Sequence, residues 1–164
     1  MVKILLCIAI VAFTSICGYI FARKYRQRKL FFSQLLLFNE RFLSEITYYR
    51  RPLQAFAAKY TYKGAFHTFL EDFFNALNEK ERTANFPLSF DECEFLTQEE
   101  RSTLEDYFHM LGAGDSASQK AYFNGMKTLI ASYQAEAEKE YKKYGDLYIK
   151  LGFLCGLLIV ILIV

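Results

Sequence analysis

Apolar positions along the chain fall into two uninterrupted terminal runs and, between them, a series of three- and four-residue steps. The first run, Ile4 to Ala22, would measure about 28 Å as a helix, close to the roughly 30 Å hydrocarbon core of a bilayer. It predicts a membrane-spanning helix. The last run, Leu151 to Val164, carries no charge and would measure about 21 Å. Adding Tyr148 and Ile149, with the Lys150 ammonium snorkelling towards the headgroups, brings it to a marginal spanning length. A chain ending inside such a run is expected to be held in a membrane by it; the competing reading is a buried helix of a soluble core. Gly152 and Gly156 would let a second helix backbone approach closely in lipid.

From Leu30, the residues Phe32, Leu35, Leu36, Phe42, Leu43, Ile46 and Tyr49 recur at helical spacing and predict an amphipathic helix continuous with the first run. Tyr48-Tyr49-Arg50-Arg51 ends it. Pro52 suits the first turn of a new helix, where its missing N–H is not needed, with Leu53, Phe56, Ala57 and Tyr60 on the inner face. Beyond Gly64, Phe66, Phe69, Leu70, Phe73, Phe74 and Leu77 mark a third helix, whose aromatic stripe reads as core and not as a cofactor box. Asn78 to Glu94 is polar and acidic and holds Pro87, which predicts a loop with at most a short helix around Leu88 to Phe95.

Thr97-x-x-Glu100 is a capping box, in which hydroxyl and carboxylate each take up an amide left free at a helix start. A helix through Leu104, Tyr107, Phe108 and Leu111 should follow, broken by Gly112-Ala113-Gly114-Asp115, after which Ser116-x-x-Gln119 offers a second capping box. Tyr122, Met126, Leu129, Ile130, Tyr133, Ala137, Tyr144, Tyr148 and Leu151 then keep one face without a proline, so one long helix is expected to lead into the closing run. Period-two alternation is nowhere evident. The fold class expected is all-α, a small cytosolic helical bundle between an N-terminal and a C-terminal transmembrane helix, with boundaries at 1–22, 23–147 and 148–164.

Charge gives these segments an orientation. The formal net charge of +2 hides five basic and no acidic residues between Arg23 and Lys29, and eleven acidic against three basic residues from Glu71 to Asp106. The basic run after the first anchor, against the single Lys3 before it, places the middle of the chain in the cytoplasm by the positive-inside bias. Lys139, Lys142, Lys143 and Lys150, which precede the closing run, put its entry on the same side. A cleaved signal peptide is the rival reading of the first run, and Lys3 fits it. No Ala-x-Ala-like site follows, however, Ile16 is bulky where a lipoprotein site needs a small residue before Cys17, and the run continues through Tyr19, Ile20 and Phe21. The basic run suits anionic headgroups better than nucleic acid, since the remaining surface is acidic.

Candidate chemistry changes the picture little. There is no Gly-x-x-x-x-Gly-Lys-Ser/Thr loop, and Gly112-Ala113-Gly114-Asp115 follows a helix and lacks the third glycine of a phosphate loop. His67 and His109 lie on separate expected helices without the paired spacing of a metal site. Asp91-Glu92-Cys93-Glu94 has neither the ligand order of a calcium loop nor a Cys-x-x-Cys pair, and reads as a solvated acidic cluster. Cys7, Cys17 and Cys155 lie in apolar runs, which leaves Cys93 alone in the middle and no disulfide framework. No catalytic, cofactor or metal residue is assigned. The partner and packing candidates are Gly152, Gly156, Leu111, Gly112, Gly114, Asp115, Gln119, Pro52, Asp91, Glu92 and Glu94.

Several stretches carry a resemblance: the first anchor closing in a basic run; Glu45-Ile46-x-Tyr48 leading to Pro52-Leu53-x-x-Phe56; Leu111-Gly112-x-x-Asp115-x-x-x-Gln119; and Leu147-Tyr148-x-x-Leu151-Gly152-x-Leu154-x-Gly156 followed by the closing apolar residues. On these the chain resembles the stage III sporulation protein AB family of endospore-forming bacteria, whose soluble part is similar to the cytoplasmic domain of type II secretion platform (F-type) proteins. It departs from the family pattern in having no Trp, and in placing Tyr49 and Arg50 where a Gly follows the Ile-x-Tyr motif.

The resemblance implies a non-enzymatic platform without cofactors, in the mother-cell membrane facing the forespore, at the base of a transenvelope channel. Its implied partners are the membrane, a cytosolic secretion-type ATPase, other channel membrane proteins and further copies of itself, with no nucleic acid. The acidic segment from Glu71 to Asp106 and the tip around Gly112 to Asp115 are expected to face the ATPase, with the final helix passing displacement into Gly152 to Val164. The alternative is a platform of a pilus or type II secretion-like machine not tied to sporulation. A membrane-tethered enzyme is disfavoured by the lack of any nucleophile and base pattern.

Overall fold

The computed structural model describes residues 2–49, 56, 59–79, 88–90, 93–111 and 116–163, and among these the chain is all-α with no strand. The α-helices in order are α1 (Val2–Ser44), α2 (Ala65–Glu79), α3 (Gln98–His109), α4 (Ser116–Glu140) and α5 (Asp146–Ile163). A π-helical turn at Glu45–Tyr49 extends α1, and another at Tyr141–Gly145 joins α4 to α5. The chain divides into two compact units: a terminal unit of Met1–Lys29 with Glu136–Val164, and a central unit of Leu30–Ala135.

With 17 Phe, 12 Tyr and no Trp in the sequence, the core of the central unit is built from phenyl and phenol rings. α1 supplies Phe31, Phe32, Leu35, Phe38 and Phe42; α2 supplies Phe66, Phe69, Leu70 and Phe73; α3 supplies Leu104, Tyr107 and Phe108; and α4 supplies Phe123 and Ile130, all buried. The rings meet edge to face, as at Phe42–Phe123 (4.9 Å between centroids), Tyr107–Phe123 (5.0 Å) and Phe69–Phe108 (4.9 Å). That arrangement brings the positive edge of one ring to the negative face of the next. Each such burial contributes about 1.5–3 kcal/mol. One polar relay runs through this apolar mass. The Tyr107 hydroxyl donates to Asn39 Oδ1 (3.0 Å), and Asn39 Nδ2 donates to the Phe123 carbonyl (3.2 Å), so all three groups are satisfied without water.

Local signals set the helix starts. The Glu100 amide donates to the Thr97 hydroxyl (3.2 Å) and the Thr97 amide to the Glu100 carboxylate (2.8 Å), which completes the expected capping box ahead of α3. Gly64, at φ 65°, precedes α2 and accepts from the His67 amide at 2.9 Å; an L side chain is disfavoured there by its backbone, and its Cβ would also meet Leu30 Cδ2 at 2.7 Å.

The loop expected around Leu88 to Phe95 is seen in its described part: no residue described between Leu88 and Phe95 is helical, and the Cys93 amide bonds to the Phe90 carbonyl (2.8 Å) and the Leu96 amide to the Cys93 carbonyl (3.0 Å). The long closing helix is continuous, as expected, with one π-helical turn at Tyr141–Gly145. There the Tyr141 ring covers Gly145, where a Cβ would come within 2.8 Å of Tyr141 Cδ2. Its inner face differs in part: Ile130 and Ala137 are buried as expected, but Leu129 is 37% exposed, and Phe123, beside the expected Tyr122, is buried instead. Of the helix expected from Pro52, Phe56, Lys59 and Tyr60 lie among the described residues; Phe56 and Lys59 are helical, whereas Tyr60, expected on the inner face, is not. α4 begins at Ser116 itself, so the position expected to be capped by Ser116-x-x-Gln119 falls at the edge of the described residues.

Candidate membrane anchor

Two helical runs, Leu5–Tyr48 and Ala117–Leu162, are long and apolar enough to cross a membrane, and only 11% of the most apolar window of each is buried. A soluble core helix would bury most of that window. Here Ile8, Phe13, Ile16 and Ile20 on α1, and Leu154, Leu158, Ile161 and Leu162 on α5, are all more than half exposed. Large apolar side chains in this number, turned outward on two neighbouring helices, fit a hydrocarbon solvent better than water.

Within the terminal unit the two runs pair antiparallel through small residues. A Cβ added to Gly18 would lie 2.6 Å from the Tyr148 carbonyl oxygen and 3.2 Å from Gly152 Cα. One added to Gly152 would lie 2.7 Å from the Thr14 carbonyl oxygen and 3.0 Å from Gly18 Cα. At Gly156 it would meet the Thr14 hydroxyl and come within 3.0 Å of Val11 Cα. The α1 numbers fall from 18 to 11 as the α5 numbers rise from 148 to 156, which sets the direction of the pairing. The backbones touch, so dispersion between main-chain atoms takes the place of side-chain interdigitation, the mode of association open to helices in lipid. Thr14 returns its hydroxyl to the Ile10 and Val11 carbonyls (3.1 Å each), which leaves no polar group of that side chain open at the crossing.

Beyond the crossing the pair is held by rings and then by charge. Tyr25 stacks on Tyr144 (5.5 Å) and on Tyr148 (6.0 Å), and Phe21 lies 6.0 Å from Tyr148. Next along, Arg28, only 8% exposed, forms ion pairs with Glu140 and Glu136 (3.7 Å), while Lys29 reaches Glu138 (3.6 Å) and lies over the Tyr141 ring (5.2 Å). Lys142 also pairs with Glu138, at 3.0 Å. The hydrogen bond and charge of Lys142, joined by the charge of Lys29, hold the Glu138 carboxyl below its ordinary value of 4.5.

Of the partner and packing candidates, Gly152 and Gly156 sit together at the crossing. Leu111 is buried at the end of α3, its amide donating to the Phe108 carbonyl (3.2 Å); Gln119 is buried in the first turns of α4; and Glu94 is exposed. Pro52, Asp91, Glu92, Gly112, Gly114 and Asp115 lie outside the described residues. Sequence reasoning missed Gly18 and Thr14, although Thr14-x-x-x-Gly18 has the same small-residue spacing as Gly152-x-x-x-Gly156. It also assigned Arg28 to a uniform basic run. The matching signal was Glu136, Glu138 and Glu140, acidic residues that precede the closing run just as the basic residues follow the first.

An all-α chain with two helices long and apolar enough to cross a membrane, paired backbone to backbone at glycines, defines a class consistent with membrane association. Within that class the particular assignment follows from a match over residues 3–164: the chain belongs to the stage III sporulation protein AB family, and is a sporulation-related protein. No curated protein and no solved structure matches it.

Proposed function

We propose that this protein is a non-enzymatic membrane platform of the channel that joins mother cell and forespore. The two apolar runs would insert as a helical pair in the mother-cell membrane, with the central unit in the cytoplasm. There it would receive a secretion-type ATPase and couple it to other membrane components of the channel, further copies of itself included. The observation that carries this reading is the family match over essentially the whole chain. The outward apolar faces of the pair, and the basic residues that flank both runs on one side, support it physically.

The acidic stretch from Glu71 to Asp106 is the surface assigned to the ATPase. Replacing Asp91, Glu92 and Glu94 by Lys is expected to reduce ATPase co-purification, with wild-type binding weakening as salt rises. Undiminished binding of the variant across a salt series refutes the assignment of that surface.

A further inference from the structure

The cations that flank the two apolar runs between Arg23 and Lys150 in the terminal unit are of two kinds. Arg28, Lys29 and Lys142 are committed to Glu136, Glu138 and Glu140. Arg23, Lys24, Arg26, Lys139, Lys143 and Lys150 are exposed and form no ion pair among the described residues. Two of these six flank the tyrosine stack. Lys24 Nζ lies 5.0 Å from the Tyr25 ring centroid, and Lys143 Nζ lies 4.9 Å from that of Tyr144. Since the two rings stack at 5.5 Å, ammonium groups from both helices flank one aromatic pair. Arg26 turns back along α1 towards the apolar run and donates to the Tyr19 hydroxyl (3.0 Å). Immediately beside them lie exposed apolar side chains, Phe21 at 62% and Ile20 at 60%.

We infer that the Tyr25–Tyr144 stack and its flanking cations form a headgroup site for an anionic phospholipid. Lys24 and Lys143, at the two rings of the stack, supply the positive charge that draws in the anionic head, and the acyl chains lie along the exposed apolar face of α1. The inference rests on the membrane insertion proposed above. An occupant with an anionic head and apolar tails satisfies both halves of the surface, whereas a soluble anion would leave the apolar half uncovered. Repulsion from the nearby glutamates is removed in advance, because Arg28, Lys29 and Lys142 neutralise them. Asp146, exposed and likewise without an ion pair among the described residues, is a single opposing charge against six such cations. Tyrosines and cations at the end of an apolar run are the ordinary furniture of a headgroup layer.

The test uses the full chain in detergent, titrated with phosphatidylglycerol or phosphatidylcholine, with first-adduct dissociation constants read by native mass spectrometry. Phosphatidylglycerol is expected to bind more tightly, with the preference shrinking as salt rises. Lys24→Gln and Lys143→Gln should each lower phosphatidylglycerol affinity about five-fold at low salt and leave phosphatidylcholine unchanged. Lys120→Gln, an exposed cation of the central unit, should change neither. Equal affinity for the two lipids, or an unaltered preference in the Lys24→Gln/Lys143→Gln double variant, overturns the site. Alkaline extraction from vesicles separates this from the underlying reading: release of the chain refutes membrane insertion, whereas retention with headgroup indifference refutes the lipid site alone.

Discussion

The backbone contact at the helix crossing makes opposite predictions for glycines that look alike in the sequence. In Gly18→Ala the new methyl carbon would start 2.6 Å from the Tyr148 carbonyl oxygen, where ordinary contact begins near 3.4 Å. The shortfall is 0.8 Å. Because the atom in the way is backbone, no side-chain rotation relieves it, and the two helices must separate over their contact. A radial gap of about 0.5–1 Å forfeits roughly a quarter to a half of each dispersion well along the crossing. Overpacking of this kind costs about 1–3 kcal/mol. Gly152→Ala meets the Thr14 carbonyl oxygen at 2.7 Å and should cost a similar amount. Gly125→Ala is the counter-case: nothing lies within 4 Å of its Cβ position in the interior of α4, so the substitution should stabilise by up to about 1 kcal/mol through helix propensity. Unfolding of the full chain in mixed micelles by increasing sodium dodecyl sulfate, followed by circular dichroism, reads both signs in one series. Gly152→Leu and Gly156→Leu should in addition leave membrane insertion intact, as judged by alkaline extraction, while weakening the pair. A neutral Gly18→Ala, or a destabilising Gly125→Ala, would refute the close approach deduced for the crossing and the openness deduced for α4.

Further outcomes follow from the polar groups. Tyr107→Phe removes the donor to Asn39 Oδ1 at a fully buried site, which should cost about 1–3 kcal/mol; a double-mutant cycle with Asn39→Leu should show strong non-additivity. Burial raises the Tyr107 hydroxyl well above its ordinary value of 10.0, and burial likewise raises Tyr62 and Tyr122. The folded state therefore holds these protons longer than the unfolded chain, so their contribution to stability is complete below pH 10.0 and is lost as pH rises beyond it. Alkaline unfolding should coincide with the last step of tyrosinate absorbance, that of the buried Tyr107. At the acid end Glu138 has the opposite sign: its lowered carboxyl contributes above the ordinary value of 4.5 and loses that contribution as pH falls below it. Glu138→Gln should flatten the acid limb of a stability profile measured at low salt, and an unchanged limb would count against the Lys29–Glu138–Lys142 bridge.

By itself the sequence determined the helical class, the two apolar runs and the starts of most helices, because each rests on short-range physics. Spacing at three and four residues places Phe66, Phe69, Leu70 and Phe73 on one face whatever they pack against, and Thr97 caps Glu100 within a single turn. The family resemblance was legible for a similar reason, residing in contiguous motifs. Only the tertiary structure decided what those elements meet. Whether a glycine is a close contact or an open position depends on a partner over a hundred residues away, as Gly18 with Gly152 and Gly125 with nothing demonstrate. The same holds for charge. Arg23 and Arg28 are equivalent in a basic run, yet Arg28 is buried against Glu136 and Glu140 while Arg23 stays exposed. Antiparallel pairing brings the glutamates to Arg28 and Lys29 but not to Arg23, and a Coulomb interaction that falls with distance then separates residues that composition treats as one.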